Sequence, residues 1–220
     1  MTREEILNKA IYIQFPANYT NYTNYNIPGK EINKLPLPEP GMMYDGYNLN
    51  DNHFTTKYHR EFVIPLINKL LNLNFKENNF ILDKRTYKDY DLSIYKPLQE
   101  FKFDIFGYTA NEQVEDVDWN FLSNSKIKSP FITSYHALYA YPHQCSRIIN
   151  RTISSNRKLF ISGDSQMIPD IAFLACLFKE LWYFDNRNKL NLTYKWSETN
   201  FTDVLIELNC LPISSYTDNF

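Results

Sequence analysis

The sequence predicts an α/β fold with a central, mostly parallel sheet flanked by helices, and the pattern of the C-terminal third carries that prediction. "KLFIS" (158–162) reads as a strand, "SQMIPDIAFLACLFK" as a helix, "ELWYFD" as a strand, and "TDVLIELN" as a further strand after a polar linker. Strand, helix, strand at these lengths is a βαβ unit, which implies parallel pairing and a right-handed crossover. Strands at about 158–162, 180–184 and 203–208 should therefore be neighbours in one sheet. The helix, expected over about 165–178, is apolar nearly all round, as a helix buried against a sheet should be.

The remaining elements are read in chain order. A short helix is expected over about 3–12 and irregular chain after it. "NYTNYTNYN" is a Tyr-spaced polar near-repeat and "IPGKEINKLPLPEPGMM" is rich in Pro and Gly, with neither helical nor alternating periodicity. Residues 1–45 are accordingly expected to drape over the core as an irregular Asn/Tyr/Pro-rich segment, and 46–220 to form the α/β domain. "TTKYHREFVIPLINKLLN" (55–72) places Tyr58, Phe62, Leu66, Ile67, Leu70 and Leu71 on one helical stripe, and Pro65 should kink or divide that helix. "NFILD", the alternating "LQEFKFDIF" and "SPFITSYHALYAY" are short apolar runs, and "HQCSRIINRTISSN" reads as a surface helix with Cys145, Ile148 and Ile149 facing inward.

Composition excludes several function classes. A formal net charge of −2 leaves no electrostatic footprint for nucleic acid or an anionic membrane. No run of 18 apolar residues provides a spanning helix. "MTREEILNKAIYIQF" lacks the basic start, apolar stretch and small-residue cleavage site of a signal peptide. The expectation is a cytoplasmic protein, or an excised soluble domain of an exported or membrane-associated bacterial protein. Three widely spaced cysteines (Cys145, Cys176, Cys210) argue against a disulfide framework and against structural zinc, and Cys176 reads as a small core residue. The Asn-x-Thr sites follow from Asn richness and are not read as glycosylation, and the 16% aromatic content is read as core filling rather than sugar stacking.

Only five glycines occur in the chain, and one of them, Gly163, sits with Asp164 and Ser165 where the strand stops and the helix begins. In α/β sheets, ligands and catalytic groups gather at such strand ends. Ser165 has two readings: a helix N-cap, or a nucleophile whose developing oxyanion is met by helix N–H groups. With Ser165 as N-cap, Pro169 would be the fourth helical residue and would forfeit no intrahelical bond. Asp164 reads as a structural hydrogen-bonder.

A serine nucleophile needs an imidazole base, itself oriented by a carboxylate. There are four histidines. "NLNDNHFTTKYHREF" offers Asp51 and His53 two residues apart, just before the long helix. The competing view of this stretch is structural, with Asp51 or Thr55 capping the helix and His53 in a solvated loop. His59 falls within the helix, His136 between tyrosines in an apparent strand, and His143 in a turn after Pro142.

An Asp-x-His-aromatic-Thr motif before a helix ("DNHFT"), followed about a hundred residues later by a strand ending in "SGDSQ", resembles the SGNH-hydrolase-like enzymes of the alginate O-acetyltransferase type. Ordinary SGNH esterases carry the serine motif first; in this group the Asp-x-His pair precedes it, as here. "ELWYFDNR" and "DVLIELN" also look like the segments that follow the serine in those proteins, so the resemblance spans about residues 45–210. It implies a three-layer, flavodoxin-type fold, and it implies a catalytic set of Ser165 as nucleophile, His53 as base and then acid, and Asp51 as the orienting carboxylate. The oxyanion hole would include the Ser165 N–H, with Gly163, Gln166, Arg187 and Asn209 as oxyanion or substrate-binding candidates. No Gly-x-Asn-Asp segment is present, the family's larger portion before Asp-x-His is missing, and its members commonly act outside the cytoplasm.

The function this implies is O-acyl, specifically O-acetyl, transfer or ester hydrolysis on a polysaccharide or glycan precursor such as a capsule or cell-envelope glycan, through an acyl-enzyme. The partners are then an acyl donor and a carbohydrate acceptor, and no cofactor or metal is required. The alternative is a catalytically inactive SGNH-like module for glycan binding or assembly. A third reading, a metal site built on Asp51 and His53 with His59 as an optional further ligand, suffers from a sparse ligand set and the lack of a further acidic cluster. No signal for an oligomeric state is present.

Overall fold

In a computed structural model of the protein the described residues are 1–17, 20–43, 53–75, 79–84, 86–87, 90–91, 93–108, 113–115, 145–185 and 199–208. Along the chain they form α1 (Arg3–Lys9), β1 (Ile11–Gln14), β2 (Ile32–Lys34) and α2 (Thr56–Tyr58). A π-helical segment (His59–Val63) then leads into α3 (Ile64–Leu70). Next come β3 (Phe80–Asp83), β4 (Thr86–Tyr87), β5 (Tyr90–Asp91), β6 (Ile94–Pro97), β7 (Phe103–Tyr108) and β8 (Gln113–Glu115). β9 (Cys145–Asn150), β10 (Lys158–Gly163), a 3₁₀ turn (Ser165–Met167), α4 (Ile168–Ala175), β11 (Glu180–Asp185) and β12 (Asp203–Leu208) complete the described chain.

Among the described residues eight strands make one mixed sheet in the order β2-β1-β12-β10-β11-β9-β7-β8. The first five pair in parallel, while β9 is antiparallel to both β11 and β7. β10 lies between β11 and β12 as the βαβ pattern requires, with Phe160 opposite Trp182 on one side and Val204 on the other. These central strands are apolar on both faces because helices or loops cover both. Leu159, Ile161, Leu181, Tyr183 and Leu205 pack into the cluster shared with α4 and the α2–π–α3 stretch. Phe160, Trp182, Phe184, Val204 and Ile206 pack into the opposite cluster, which includes Ile6 of α1. That is a three-layer α/β arrangement. Among the described residues no helix is long and apolar enough to cross a membrane.

Three expectations are corrected. The first helix is shorter than 3–12, stopping at Lys9 after a capping box in which Thr2 Oγ1 accepts the Glu5 N–H at 3.2 Å and Glu5 Oε2 accepts the Thr2 N–H at 2.7 Å. "IYIQ" follows it as strand β1, and both β1 and β2, within the stretch expected to be irregular, belong to the main sheet. Tyr12 and Ile13 are buried on opposite faces, which erases the alternation that would mark a strand in sequence. Finally, "CSRIIN" is not a surface helix but strand β9. The Cys145, Ile148, Ile149 spacing fits a helix stripe, yet two adjacent β-branched residues pair better in a pleated strand between β7 and β11.

Candidate functional site

The corner after β10 explains its glycine. Gly163 is not among the positive-φ residues, so turn conformation does not demand it. Space does: an added Cβ would lie 2.8 Å from Met167 Cγ and 2.9 Å from Glu207 Oε2. Glu207, fully buried near the end of β12, accepts the Asp164 N–H through Oε2 at 2.6 Å, a short bond. Asp164 in turn accepts the Gln166 N–H on Oδ1 at 2.8 Å, while its carbonyl receives the Met167 N–H at 3.2 Å and the Tyr183 hydroxyl at 2.9 Å. Asp164 is thus a structural hydrogen-bonder, and the corner is fixed from β12, β11 and its own turn.

Ser165 opens the 3₁₀ turn instead of capping the helix. The N-cap of α4 is Met167, which makes no side-chain cap bond, and Pro169 is the second helical residue rather than the fourth. The Asp164 side chain organises the turn one step earlier, as Asp commonly does through a bond to the N–H two residues on. The helix also ends sooner than 178, at Ala175. Of the four amides from Asp164 to Met167, those of Asp164, Gln166 and Met167 are engaged among the described residues.

The second side of the site comes from the chain entering α2. Thr55 is the N-cap, its hydroxyl accepting the Tyr58 N–H at 3.5 Å, and the Thr55 N–H bonds to the Met42 carbonyl at 2.8 Å. Phe54 is buried, stacked on Tyr58 with ring centroids 4.3 Å apart, and its N–H donates to Gln166 Oε1 at 3.2 Å. That bond joins the residue after His53 to the residue after Ser165. His53 itself is partly buried.

Beyond Tyr58 the helix widens into the π segment, where the Ile64 N–H reaches back to the His59 carbonyl, before Pro65 takes the second position of α3. Pro65 has no N–H to give to a carbonyl four residues back, and the expected division of the helix occurs just before it. Inside this stretch His59 Nδ1 faces Asp170 Oδ2 of α4 at 2.8 Å, both side chains being buried. Asp170 was not read as a site residue in the sequence, and His59 entered only the metal reading. The available signal was Asp170 itself, one carboxylate in an otherwise apolar run, which must find a partner when buried.

Of the sequence-derived site residues, Ser165, Gly163, Gln166 and His53 fall within the described segments, while Asp51, Arg187 and Asn209 lie outside them, as do His136 and His143. His59, the optional member of the metal reading, is bonded to Asp170 through Nδ1, and Asp51 of that reading lies outside the described residues. Among the described residues no group of three His, Cys, Asp or Glu could hold a metal ion. Cys176 is a buried core residue, its thiol pushed up to about 12 by burial.

No protein-family model matches the sequence, and neither does any curated protein. Solved structures match the fold. PatB1 of Bacillus cereus with a sulfonyl adduct superposes with a TM-score of 0.64 at 14% identity, covering 92% of this chain and 82% of that one. PatB1 of Bacillus cereus in a second structure gives 0.63 at 13% identity over 92% and 83% of the two chains. A DHHW family protein from Eubacterium siraeum gives 0.63 at 13% identity over 99% and 84%. At such identities the likeness is one of fold.

Proposed function

We propose that this protein is a serine-dependent acyl-transfer enzyme of the SGNH-like type, an O-acetyltransferase or esterase acting on a polysaccharide or glycan precursor. The observation that carries the reading is the bond between the Phe54 N–H and Gln166 Oε1, which ties the neighbour of His53 to the neighbour of Ser165. Phe54 and Gln166, 112 residues apart in sequence, thereby meet beside the end of β10. The fold shared with PatB1, whose structure is known with a sulfonyl adduct, is consistent with it.

In this reading Ser165 Oγ attacks the acyl carbonyl as His53 takes its proton, with Asp51 holding the imidazole in the tautomer that leaves Nε2 free to accept it. The tetrahedral oxyanion is met by the Ser165 N–H at the head of the 3₁₀ turn, the corner's other three amides being engaged elsewhere. Collapse expels the donor's alcohol with the proton from His53. A sugar hydroxyl or water, deprotonated by His53, then attacks the acyl-enzyme and regenerates Ser165. Arg187 and Asn209 are the proposed substrate-binding groups. Glu207 and Asp164 support the corner through the bonds described above.

The test is hydrolysis of an activated aryl acetate by the pure protein. Ser165→Ala should lower the rate by at least roughly 10³-fold, and His53→Ala nearly as much, since residues acting as one unit fail together. Hydrolysis at the wild-type rate after Ser165→Ala eliminates the assignment. A protein that binds glycan yet neither hydrolyses the ester nor reacts with a sulfonyl fluoride would be the non-catalytic module instead.

A further inference from the structure

His59 and Asp170 have no part in the acyl transfer just described, yet they are 2% and 0% exposed. Burying two such groups is costly, and an apolar pair of similar volume usually serves stability as well or better. Their second polar atoms, His59 Nε2 and Asp170 Oδ1, are buried and meet no hydrogen-bond partner among the described residues, and both residues border a small cavity lined also by Thr56, Arg60, Ser93 and Tyr95. The pair also joins two segments. His59 starts the π segment, its carbonyl accepting the Ile64 N–H, and Asp170 is the third residue of α4. These are the segments already joined by Phe54 and Gln166 about one helical turn earlier.

We infer that His59 and Asp170 are positioning residues for the acyl-transfer site, an inference resting on the assignment of Ser165 and His53 above. One bond alone is a hinge. Two bonds spaced along the same pair of segments fix both their separation and their rotation, so the His53 chain and the Ser165 turn move as one body. A hydrogen bond suits this task because it constrains distance and angle, whereas apolar contacts can slide or repack. The π turn holds His59 by its backbone while Asp170 holds its ring, which leaves the histidine little freedom of its own.

The experiment compares the wild-type chain, His59→Leu/Asp170→Leu, His59→Asn and Asp170→Asn. The readouts are kcat and KM for an aryl acetate, the rate of sulfonyl fluoride labelling at Ser165 by mass spectrometry, and the thermal midpoint. The double leucine variant removes the directional bond without leaving an unpaired buried charge. It should keep a thermal midpoint near wild type and KM within about twofold, while kcat and labelling fall about 10- to 100-fold, the scale of a small misplacement of reacting groups. His59→Asn keeps an N–H donor where Nδ1 stood and should recover to within about fivefold of wild type. A folded double variant labelled at the wild-type rate overturns the positioning role and leaves the acyl-transfer reading intact. If the double variant does not fold, Asp170→Asn is read in its place: slower labelling supports the role, and the wild-type rate overturns it. Wild-type protein that is not labelled at Ser165 takes down the acyl-transfer reading and this inference with it.

Discussion

The parallel half of the sheet and the two-stranded β3–β6 ribbon outside it use the same kinds of residues to opposite ends. Leu159, Ile161, Leu181 and Leu205 in the sheet are fully buried, whereas Ile81 and Leu82 in the ribbon are 48% and 40% exposed. Crossover through α4 covers the parallel strands, but the antiparallel ribbon has no crossover of its own to cover it. Direction differs too. Parallel strands all finish on one edge, so Gln14, Gly163, Asp185 and Leu208 end together and side chains from distant segments converge there. An antiparallel ribbon divides its strand ends between two edges. Convergence, and with it chemistry, belongs to the parallel half.

The contrast can be broken at its strongest point by Leu205→Ala. Leu205 lies on β12 between β1 and β10 and is fully buried, so truncation should cost about 3 kcal/mol, measured by urea unfolding, whereas a similar truncation in the ribbon should cost far less. A cost of only a few tenths would mean that the central strands are less tightly packed than the ribbon comparison requires. Gly163→Ala tests the corner, where Met167 and Glu207 must give way. A loss of about 1–2 kcal/mol is expected, and, if the proposed acyl transfer holds, a larger proportional fall in aryl acetate hydrolysis because the turn carrying Ser165 shifts. An unchanged melting curve would show that the flexible ends of those two side chains absorb the methyl freely.

The smallest effect lies beside the ribbon. Partial burial pushes the Asp91 carboxyl up, but hydrogen bonds from Arg60 at 2.6 Å and Ser93 at 2.8 Å outweigh it and hold the group down at about 2. Because the folded value lies below the ordinary 3.8, the stabilisation is present above about pH 4 and is lost as pH falls through about 2. The carboxylate is 35% exposed, so screening keeps the contribution below about 1 kcal/mol. Asp91→Asn should therefore flatten the fall in stability between pH 4 and 2. Equal acid slopes in variant and parent would discard the pair as a stabilising contact.

What was legible in the sequence follows the same division. Strands β10, β11 and β12 read correctly because a strand buried on both faces is one continuous apolar run with abrupt ends. β1 hid behind a helix whose capping box was plain but whose stop was not, since Ala10 carries neither the Gly nor the Pro that usually marks one. β9 was misread because three apolar positions fit two periodicities at once. At the corner, the sequence pointed to Gly163, Asp164 and Ser165 but could not supply Glu207, which reaches them only through parallel pairing of β10 and β12. His59 and Asp170 were invisible as a pair for the same reason: their contact spans α4 and the π segment, and no local pattern encodes it.

The crowding at Gly163 also sets the order in which this corner can change over generations. A methyl at position 163 meets Met167 Cγ at 2.8 Å and the Glu207 carboxylate at 2.9 Å, so alanine arriving first passes through a clashing ancestor. Shortening Glu207 to Asp withdraws the carboxylate by one methylene and clears part of that space before alanine arrives. The two substitutions are thus expected to be epistatic, tolerated in one sequence and selected against in the other. Descendants that have kept both Met167 and Glu207 should retain the glycine.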